Sequence, residues 1–490
     1  MRERAEWLLA RTRGLAFALC LGVAYAGFGA RAVLSERYFH DEGFLSWFLA
    51  SYLLHDPIPT LFFLKAKPVM GLMNLPGTAL GRTGFFAQHV LLGAFGVGLA
   101  YAVARAWRIR EAGFVALAIA ASPLYLEGGP SGISNVDSVV ATLLALWLLA
   151  RPPGLALGLW LAALPLVRSE LALVSLALAL YAVVTAPTRA RLLLGLLGLP
   201  AAYVVAGAVY HRDALWPVHY LPVYGRIPSH INLASVLGSM SAREVLLGLA
   251  LTTPTLALVP LCRAAALTPR ERLARTLIVG YLAALLGLPL LHLGFGFSTR
   301  YLVVLLPFAA LLGARATESA TLLWRRLPAP VTLAIMAALA AWPAVAPPTE
   351  LSTAEPRTRA VVAWMRAHPE ALRGRTVYTN DWLLDPVAHG RHGLRDVDIC
   401  FIVQPDMAEE LRAWTNDHNG QRERIFALLR WRFYGRSARI EQLRGAPALR
   451  GALLAELRDP RFSAASLGVP ARPLWSAHGI TLYELGAPGR

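Results

Sequence analysis

Residues 154–186 read GLALGLWLAALPLVRSELALVSLALALYAVVTA, an apolar stretch broken near its middle by Arg168, Ser169 and Glu170. Arginines flank the stretch on both sides, at positions 151, 189 and 191. A straight helix of this length would reach roughly 50 Å, whereas the hydrocarbon core of a bilayer is about 30 Å thick. We therefore predict a hairpin of two short helices that turns at the three polar residues.

Other apolar runs of similar character recur along the first 347 residues. The 490-residue chain is 56% hydrophobic and only 16% charged, whereas about a quarter of the residues in soluble domains are charged. With the hairpin counted as two spans, the sequence predicts an all-α polytopic membrane protein with about 11 transmembrane helices. The other predicted spans are 14–34, 84–104, 112–126, 133–150, 191–210, 244–262, 276–297, 300–314 and 330–347.

The positive charge predicts the orientation of the chain rather than a nucleic-acid partner. The net charge is +17, but the arginines cluster in short segments between the spans, such as 105–110 and 263–275. Cytoplasmic loops carry such an excess, so we predict a cytoplasmic N-terminus and an extracytoplasmic C-terminus. A cleaved signal peptide ending at Ala24-Tyr25-Ala26 is the alternative. Both interpretations place the first outer loop, residues 35–83, outside.

After Pro347-Pro348 the composition becomes mixed and polar. We predict that 1–347 form the transmembrane domain and that 348–490 form a small C-terminal extracytoplasmic α/β domain. Helical periodicity favours helices over 357–372 and 407–414. Short β-rich segments favour strands over 376–379, 397–403 and 479–485.

The first outer loop concentrates groups that could carry chemistry. His40 precedes the acidic pair Asp41-Glu42, and the same loop holds Lys65 and Lys67, the only lysines of the chain. A carboxylate can accept the proton of an attacking hydroxyl, and cations stabilise a departing phosphate. This combination suits transfer of a sugar from a lipid phosphate. The alternative is that the acidic pair binds Arg31 or Arg37 and orients the loop.

Polar residues near the ends of other spans allow two interpretations each. Arg168 and Glu170 could form an ion pair that caps two helices, or could present an arginine to a phosphate. Asp137 could complement the N-terminal dipole of its helix or support a site. Arg300-Tyr301 could anchor the membrane interface or contact a lipid phosphate. His389 and His392, near residues 380–385, fit a solvated loop or a metal site.

The order of these motifs resembles that of the GT-C superfamily of membrane glycosyltransferases, in the branch of protein O-mannosyltransferases and aminoarabinose transferases. That branch has an Asp-Glu pair after the first span, followed by a Lys-Pro element, a Ser-Pro-Leu stretch with a later Asp, an Arg-Pro-Glu hairpin and an Arg-Tyr-Leu stretch. The matching residues here are Asp41-Glu42, Lys67-Pro68, Ser122-Pro123-Leu124 with Asp137, Arg168-Ser169-Glu170 and Arg300-Tyr301-Leu302. The chain departs from this pattern in three ways. Ser169 replaces the usual proline, Lys67-Pro68 lacks the preceding glutamate and the second proline of the aminoarabinose branch, and the sugar-binding repeats of the protein mannosyltransferases are missing.

The resemblance implies a GT-C-like enzyme of the bacterial inner membrane. It would transfer a sugar from a polyprenyl-phosphate donor, with inversion, to an extracytoplasmic lipid, glycan or protein. Asp41 would be the base and Glu42 would assist it or bind a divalent metal, for which the motifs define no ligand set. The donor phosphate would be bound by Lys67, Lys65, Arg168 and Arg300, supported by His40, Asp137, Glu170 and Tyr301. A lipid or solute transporter and a non-catalytic subunit of envelope polysaccharide assembly are the alternatives.

Overall fold

The computed structural model describes most of the chain, in two compact units. The first unit comprises residues 1–219 and 226–352, and the second comprises 220–225 and 353–490. The described residues are 2–35, 41–55, 57–62, 67–187, 189–219, 254–262, 267–290, 299–323, 338, 355–380, 384, 394, 397–403, 436–457 and 463–486.

The first unit is helical throughout its described part. Its helices are α1 (Arg2–Ser35), α2 (Asp41–His55), α3 (Pro57–Leu61), α4 (Pro68–Ala79), α5 (Gly81–Ala106), α6 (Ala112–Ala120), α7 (Pro123–Ser131), α8 (Asn135–Leu149), α9 (Leu155–Val167), α10 (Leu171–Thr185), α11 (Arg189–His211), α12 (Trp216–His219), α13 (Pro269–Leu290) and α14 (Leu306–Leu323). Residues Pro254–Leu261 and Thr299–Leu305 form 3-10 helices.

The predicted hairpin is confirmed. Helices α9 and α10 pack against each other, and the chain turns at residues 168–170. Arg168 ends α9 with an extended backbone, at φ −160° and ψ 133°. The turn therefore lies where the three polar residues interrupt the apolar sequence.

Two predicted segments differ from the structure in shape. The first outer loop is largely helical, because α2, α3 and α4 occupy its described residues. The predicted span 112–126 is the bent pair of α6 and α7, which meet at 58°. Pro123 begins the second helix of this pair, and proline favours the first position of a helix over its interior.

The number of spans stays a prediction. Within the described residues, four helices are long and apolar enough to cross a membrane, or five if the bent pair counts as one span. The helices α8, α9 and α10 are apolar but shorter. Most of the predicted span 330–347 and residues 244–253 lie outside the described residues.

The outer faces of several helices are apolar, as a lipid environment requires. Helix α11 exposes Leu194, Leu197, Val205 and Val209, and α10 exposes Leu176, Leu180 and Val184. Large contiguous apolar surfaces are rare on soluble proteins and mark membrane or partner contacts. The architecture is therefore that of a multi-pass membrane protein.

Small residues and tyrosines bring the helices together. The Tyr25 hydroxyl of α1 donates to the Tyr125 carbonyl of α7 at 2.8 Å, and the Tyr125 hydroxyl donates to the Gly93 carbonyl of α5 at 2.8 Å. Helices α9 and α11 cross at Gly158 and Gly195, where a Cβ on either residue would overlap the other helix's backbone. Such close approach of small residues is typical of membrane helix packing.

An ion-pair network links α13, α14 and the connection between α5 and α6. Arg315 of α14 binds Glu271 of α13 at 2.8 Å and Glu318 of α14 at 2.5 Å. The Glu318 carboxylate also accepts the backbone N–H groups of Arg110 and Glu111, which lie between α5 and α6. Buried charges are stable when they are paired and hydrogen-bonded, so this network holds the two helices and the connection together.

The second unit contains a six-stranded mixed sheet. Its strands are β1 (Thr376–Thr379), β2 (Asp398–Val403), β3 (Arg436–Arg439), β4 (Leu453–Leu457), β5 (Ala471–Ala477) and β6 (Ile480–Leu485), in the order β3-β2-β1-β4-β6-β5. The first four are parallel, and β6 pairs antiparallel with both β4 and β5. Tyr378, Cys400 and Leu454 pack in one core on the sheet.

The α/β character of this unit is confirmed, together with strands β1, β2 and β6. The predicted helix 357–372 is two helices, α15 (Glu355–Ala367) and α16 (Pro369–Leu372), because Pro369 begins a new helix. The sequence prediction missed β3, β4 and β5, which are short or rich in Ala, Arg and Pro. The predicted helix 407–414 lies outside the described residues.

Candidate active site

Several helix starts converge on the connection between α7 and α8, residues 131–135. Helix α2, which begins with Asp41 and Glu42, meets this connection at Gly43. A Cβ at Gly43 would overlap the Ser131 carbonyl oxygen and would approach Gly132. Only glycine permits this contact, so the backbone of the acidic pair lies beside residues 131–132.

Lys67 reaches the same connection from α4. Its Nζ donates to the Ser134 Oγ at 3.1 Å, and its side chain is half-buried. Lys67 has a left-handed backbone, at φ 50° and ψ 66°, and Pro68 begins α4 directly after it. A residue with a Cβ rarely adopts this conformation, and such residues cluster at functional sites.

Arg168 approaches from the hairpin turn. It is 1% exposed, and its guanidinium donates to the Asn135 Oδ1 at 2.7 Å. Its Nε lies 3.1 Å from Glu170 Oε1, and the guanidinium carbon lies 5.6 Å from the centre of the Tyr301 ring. The predicted ion pair of Arg168 with Glu170 is therefore present, and it is part of a larger set of contacts.

The charges of Arg168 and Lys67 act on Glu170 at the turn. Burial raises the pKa of the Glu170 carboxyl, but the charges of Arg168 and Lys67 outweigh burial and hold that pKa below its usual value. Glu170 is thus ionised over the neutral pH range. Its carboxylate therefore lies within the electrostatic reach of both Arg168 and Lys67.

Three helix N-termini lie beside Lys67 and Arg168. Helices α4, α8 and α10 begin after Lys67, Ser134 and Glu170, and none of these three residues caps its helix with its own side chain. A helix N-terminus carries about half a positive charge and presents backbone N–H groups, which suits a phosphate. The buried Nδ2 of Asn135 has no hydrogen-bond partner among the described residues and is a further donor.

Asp137 lies one turn further along α8 than Ser134, beneath the cluster of Lys67, Arg168 and the three helix N-termini, and it is fully buried. Its Oδ1 accepts the Asn74 amide of α4 at 2.9 Å, and its Oδ2 lies 3.5 Å from His89 Nε2 of α5. Asn74 and His89 are also fully buried. Asp137 occupies the first turn of α8, where its charge favours the helix dipole, but its contacts extend to two further helices.

The structure brings together Lys67, Arg168, Glu170 and Tyr301, with Asp137 below them. For Asp41, Glu42 and Arg300 it describes the backbone only, at the starts of α2 and of the 3-10 helix 299–305. His40 and Lys65 lie outside the described residues. The catalytic and phosphate-binding roles of all these residues stay predictions.

Sequence reasoning missed four residues of this cluster. Ser134 and Asn135 accept hydrogen bonds from Lys67 and Arg168, Asn74 donates to Asp137, and His89 lies 3.5 Å from Asp137. A signal was present, because Asn74 and His89 are polar residues within apolar helices, and such residues are expensive unless they have a partner or a function. Their partners depend on helix packing, which the sequence alone does not specify.

The described residues contain no group of three or more His, Cys, Asp and Glu side chains that could hold a metal ion. His389 and His392, and Asp381 near them, lie outside the described residues. Binding of a divalent metal by Glu42 therefore stays a prediction.

The described geometry groups Lys67, the buried Arg168 and three helix N-termini in a helical membrane unit, beside the backbone of an acidic pair. The fold is similar over the whole length of the chain to that of ArnT, an aminoarabinose transferase with a GT-C fold.

Two structures of ArnT from Cupriavidus metallidurans share this fold. With the apo structure the TM-score is 0.51 at 14% identity, covering 99% of this chain and 98% of ArnT. With the structure bound to undecaprenyl phosphate the TM-score is 0.52 at 15% identity, covering 98% of each chain. No protein-family model and no curated protein matches the sequence. The resemblance of the motifs to GT-C enzymes is confirmed at the level of the fold.

Proposed function

We propose that the protein is an inverting membrane glycosyltransferase that uses a polyprenyl-phosphate sugar as donor. The observation that carries this proposal is the convergence of Lys67, Arg168 and three helix N-termini beside the backbone of Asp41 and Glu42. The fold shared with ArnT, of which one structure is bound to undecaprenyl phosphate, supports it.

The donor phosphate would lie against the connection between α7 and α8. Lys67 offers a compact charge, and Arg168 offers a planar fork that is held on two sides by Asn135 and Glu170. These groups are positioned before the reaction. They would stabilise the charge that grows on the phosphate as the bond to the anomeric carbon breaks.

The acceptor hydroxyl would attack from the side of α2. Asp41 accepts the hydroxyl proton as the acceptor oxygen bonds to the anomeric carbon, and the bond from that carbon to the phosphate oxygen breaks with its electron pair. Attack opposite the leaving group inverts the anomeric carbon. The products are the glycosylated acceptor, polyprenyl phosphate and a protonated Asp41, while Glu42 assists the base.

The remaining predictions follow from the same proposal. The enzyme would lie in the bacterial inner membrane with about 11 spans, a cytoplasmic N-terminus, and residues 35–83 and 348–490 outside. The acceptor would be an extracytoplasmic lipid, glycan or protein, and residues 1–347 would form the catalytic domain.

The proposal can be tested by incubating the purified protein with undecaprenyl-phosphate mannose or undecaprenyl-phosphate aminoarabinose as donor. An envelope extract supplies the acceptor. We expect release of undecaprenyl phosphate that depends on the extract. Asp41→Asn should lower this release by a factor of about 10² to 10⁴, because asparagine accepts no proton.

Full activity in both Asp41→Asn and Glu42→Gln would contradict the mechanism. Loss in Glu42→Gln alone would exchange the roles of the two carboxylates. Binding of undecaprenyl phosphate without release from either donor or any other lipid-linked sugar would favour a non-catalytic subunit.

A further inference from the structure

Three fully buried polar residues, Asn74, His89 and Asp137, lie on three different helices. They lie beneath the cationic surface, by which we mean the cluster of Lys67, Arg168 and the starts of α4, α8 and α10. Asn74 belongs to α4, His89 to α5 and Asp137 to α8. Burying a carboxylate is costly unless it is paired or hydrogen-bonded. The Asp137 Oδ1 accepts a hydrogen bond from Asn74, whereas the Oδ2 lies 3.5 Å from His89 Nε2 and accepts no hydrogen bond among the described residues. A set this expensive within an apolar helical unit calls for a reason beyond filling space.

The spacing along α4 and α8 supplies that reason. Lys67 directly precedes α4 and binds Ser134, which directly precedes α8. Asn74 follows Lys67 by seven residues, and Asp137 follows Ser134 by three. The same two helices are therefore joined twice, once at the surface through Lys67 and once in the interior, two helical turns further along α4.

The interior contact is the better anchored of the two. The Asn74 side-chain amide also donates to the backbone carbonyl of Met70, one turn earlier in α4, at 3.0 Å, so the side chain is held against its own helix. The His89 ring lies 4.7 Å from the Phe85 ring, centre to centre. By contrast, Lys67 is half-buried and carries a long, flexible side chain.

We propose that Asn74 and His89 are positioning residues that act through Asp137 to set where the Lys67 ammonium lies. Asn74 fixes the register of α4 against α8 through its hydrogen bond to Asp137, and His89 of α5 faces the second Asp137 oxygen at 3.5 Å. Asp137 in turn fixes the first turn of α8, whose Ser134 and Asn135 bind Lys67 and Arg168. Only the expected effect on donor binding rests on the proposed function. The position of Lys67 can be measured without a donor.

The chain offers a direct probe, because Lys65 and Lys67 are its only lysines. In a Lys65→Arg background, the rate at which Lys67 reacts with an amine-specific reagent can be followed by mass spectrometry of its peptide. We expect Asn74→Ser, His89→Gln and Asp137→Asn each to raise this rate. The exchanged pair Asn74→Asp with Asp137→Asn restores an amide-to-carboxylate bond and should return the rate toward the original value.

Thr142→Val is the matched control. Thr142 lies further along α8, is fully buried, and its hydroxyl has no partner among the described residues. This variant should leave Lys67 labelling unchanged. If folded Asn74→Ser and Asp137→Asn proteins label Lys67 at the original rate, the proposal is overturned, whatever the protein's activity.

A double-mutant cycle on undecaprenyl phosphate affinity separates positioning from general destabilisation. Asn74→Ser should weaken binding more with Lys67 present than in Lys67→Ala, by about fivefold or more, a coupling within the range for one hydrogen-bond network. Additive effects would overturn the proposal while leaving the function intact. Failure of the unmodified protein to bind undecaprenyl phosphate would refute the proposed function, and the labelling rates would still decide the positioning role.

Discussion

Lys67 combines a strained backbone with a side chain aimed at the start of another helix. The chain contains 47 Lys and Arg residues, of which only Lys65 and Lys67 are lysine. An ammonium can approach one phosphate oxygen in a tight space, whereas a guanidinium is a wide planar fork. The half-buried setting beside Ser134 therefore favours lysine over arginine at this position.

Substitutions of Lys67 should consequently separate charge from shape. We expect Lys67→Ala to lower turnover by about 10² or more, which is typical for removing one group that stabilises transition-state charge. Lys67→Arg should also be impaired, although less, because the charge remains. Lys65→Ala is the matched comparison and should lose less activity. Unchanged turnover in Lys67→Ala would remove this residue from the site.

Glu170 provides a pH-dependent test of the hairpin turn. Its folded-state pKa is lowered by Arg168 and Lys67 in spite of burial, so ionised Glu170 stabilises the fold. This contribution is fully present above the unfolded-state pKa of about 4.3 and is lost as the pH falls through the folded-state pKa.

Glu170→Gln should therefore lower the apparent melting temperature in detergent at pH 7, and the difference from the unmodified protein should shrink as the pH falls below about 4. Glu370→Gln is the control, since Glu370 is exposed at the start of α16. A Glu170→Gln difference that stays constant down to pH 3 would show that the ionised carboxylate is not what stabilises the turn.

The start of helix α2 packs closely against the backbone of Ser131, and the glycine at position 43 permits this contact. Gly43 packs against Ser131, and a Cβ there would overlap the Ser131 carbonyl oxygen. We expect Gly43→Ala to displace the start of α2, and Asp41 and Glu42 with it, so that sugar release from the donor falls by about tenfold or more, as small misplacements of catalytic groups do.

Gly98→Ala in α5 is the matched control. A Cβ at Gly98 would meet no atom within 4 Å, and alanine favours a helix over glycine by about 1 kcal/mol. Its activity should match that of the unmodified protein. Equal activity of Gly43→Ala and Gly98→Ala in the release assay would argue against a role of the contact with Ser131 in catalysis.

The sequence predicted the elements that local pattern controls and missed those that packing controls. The turn at 168–170 was predictable because the apolar stretch is too long for one span and polar residues interrupt it. Strands β3 and β5 were not, because RSAR and ARPLWSA lack a β-rich pattern and form only where neighbouring strands pair with them.

The same limit applies to the site. Arg168 with Glu170 could be predicted as a pair because the two residues are close in sequence. The partners of Lys67 and Asp137 are 67 and 63 residues away, so only the packed helices reveal them.

At the scale of the whole molecule, the two ends of the first unit differ in chemistry. Tyr301 and the cationic cluster lie at the start of the 3-10 and helical segment 299–323, and the Glu271–Arg315–Glu318 network lies near its end. The rise per residue of 3-10 and α-helices places the two clusters roughly 25 Å apart along this segment, which is comparable to the thickness of a hydrocarbon core. This separation agrees with opposite membrane faces for the two clusters.

Cysteine labelling should confirm this orientation. Cys400 is a poor reporter because it is buried in the second unit, so single cysteines belong at exposed arginines in a cysteine-free background. We expect Arg472→Cys to react with an impermeant reagent in spheroplasts and Arg110→Cys to react only after lysis. The reverse pattern would overturn the predicted topology, including the outer location of Asp41.

The central claim is that the cationic surface formed by Lys67, Arg168 and the helix starts binds a polyprenyl phosphate. Binding of undecaprenyl phosphate to the purified protein in nanodiscs, with undecaprenol as the uncharged control, measures this most directly. We predict saturable binding of the phosphate, weak binding of undecaprenol, and a loss of about tenfold or more in affinity for Lys67→Ala combined with Arg168→Gln, since charge-assisted contacts contribute about 1.5–3 kcal/mol each. Equal affinity for the phosphate and the alcohol, or unchanged phosphate binding in the double variant, would contradict the claim.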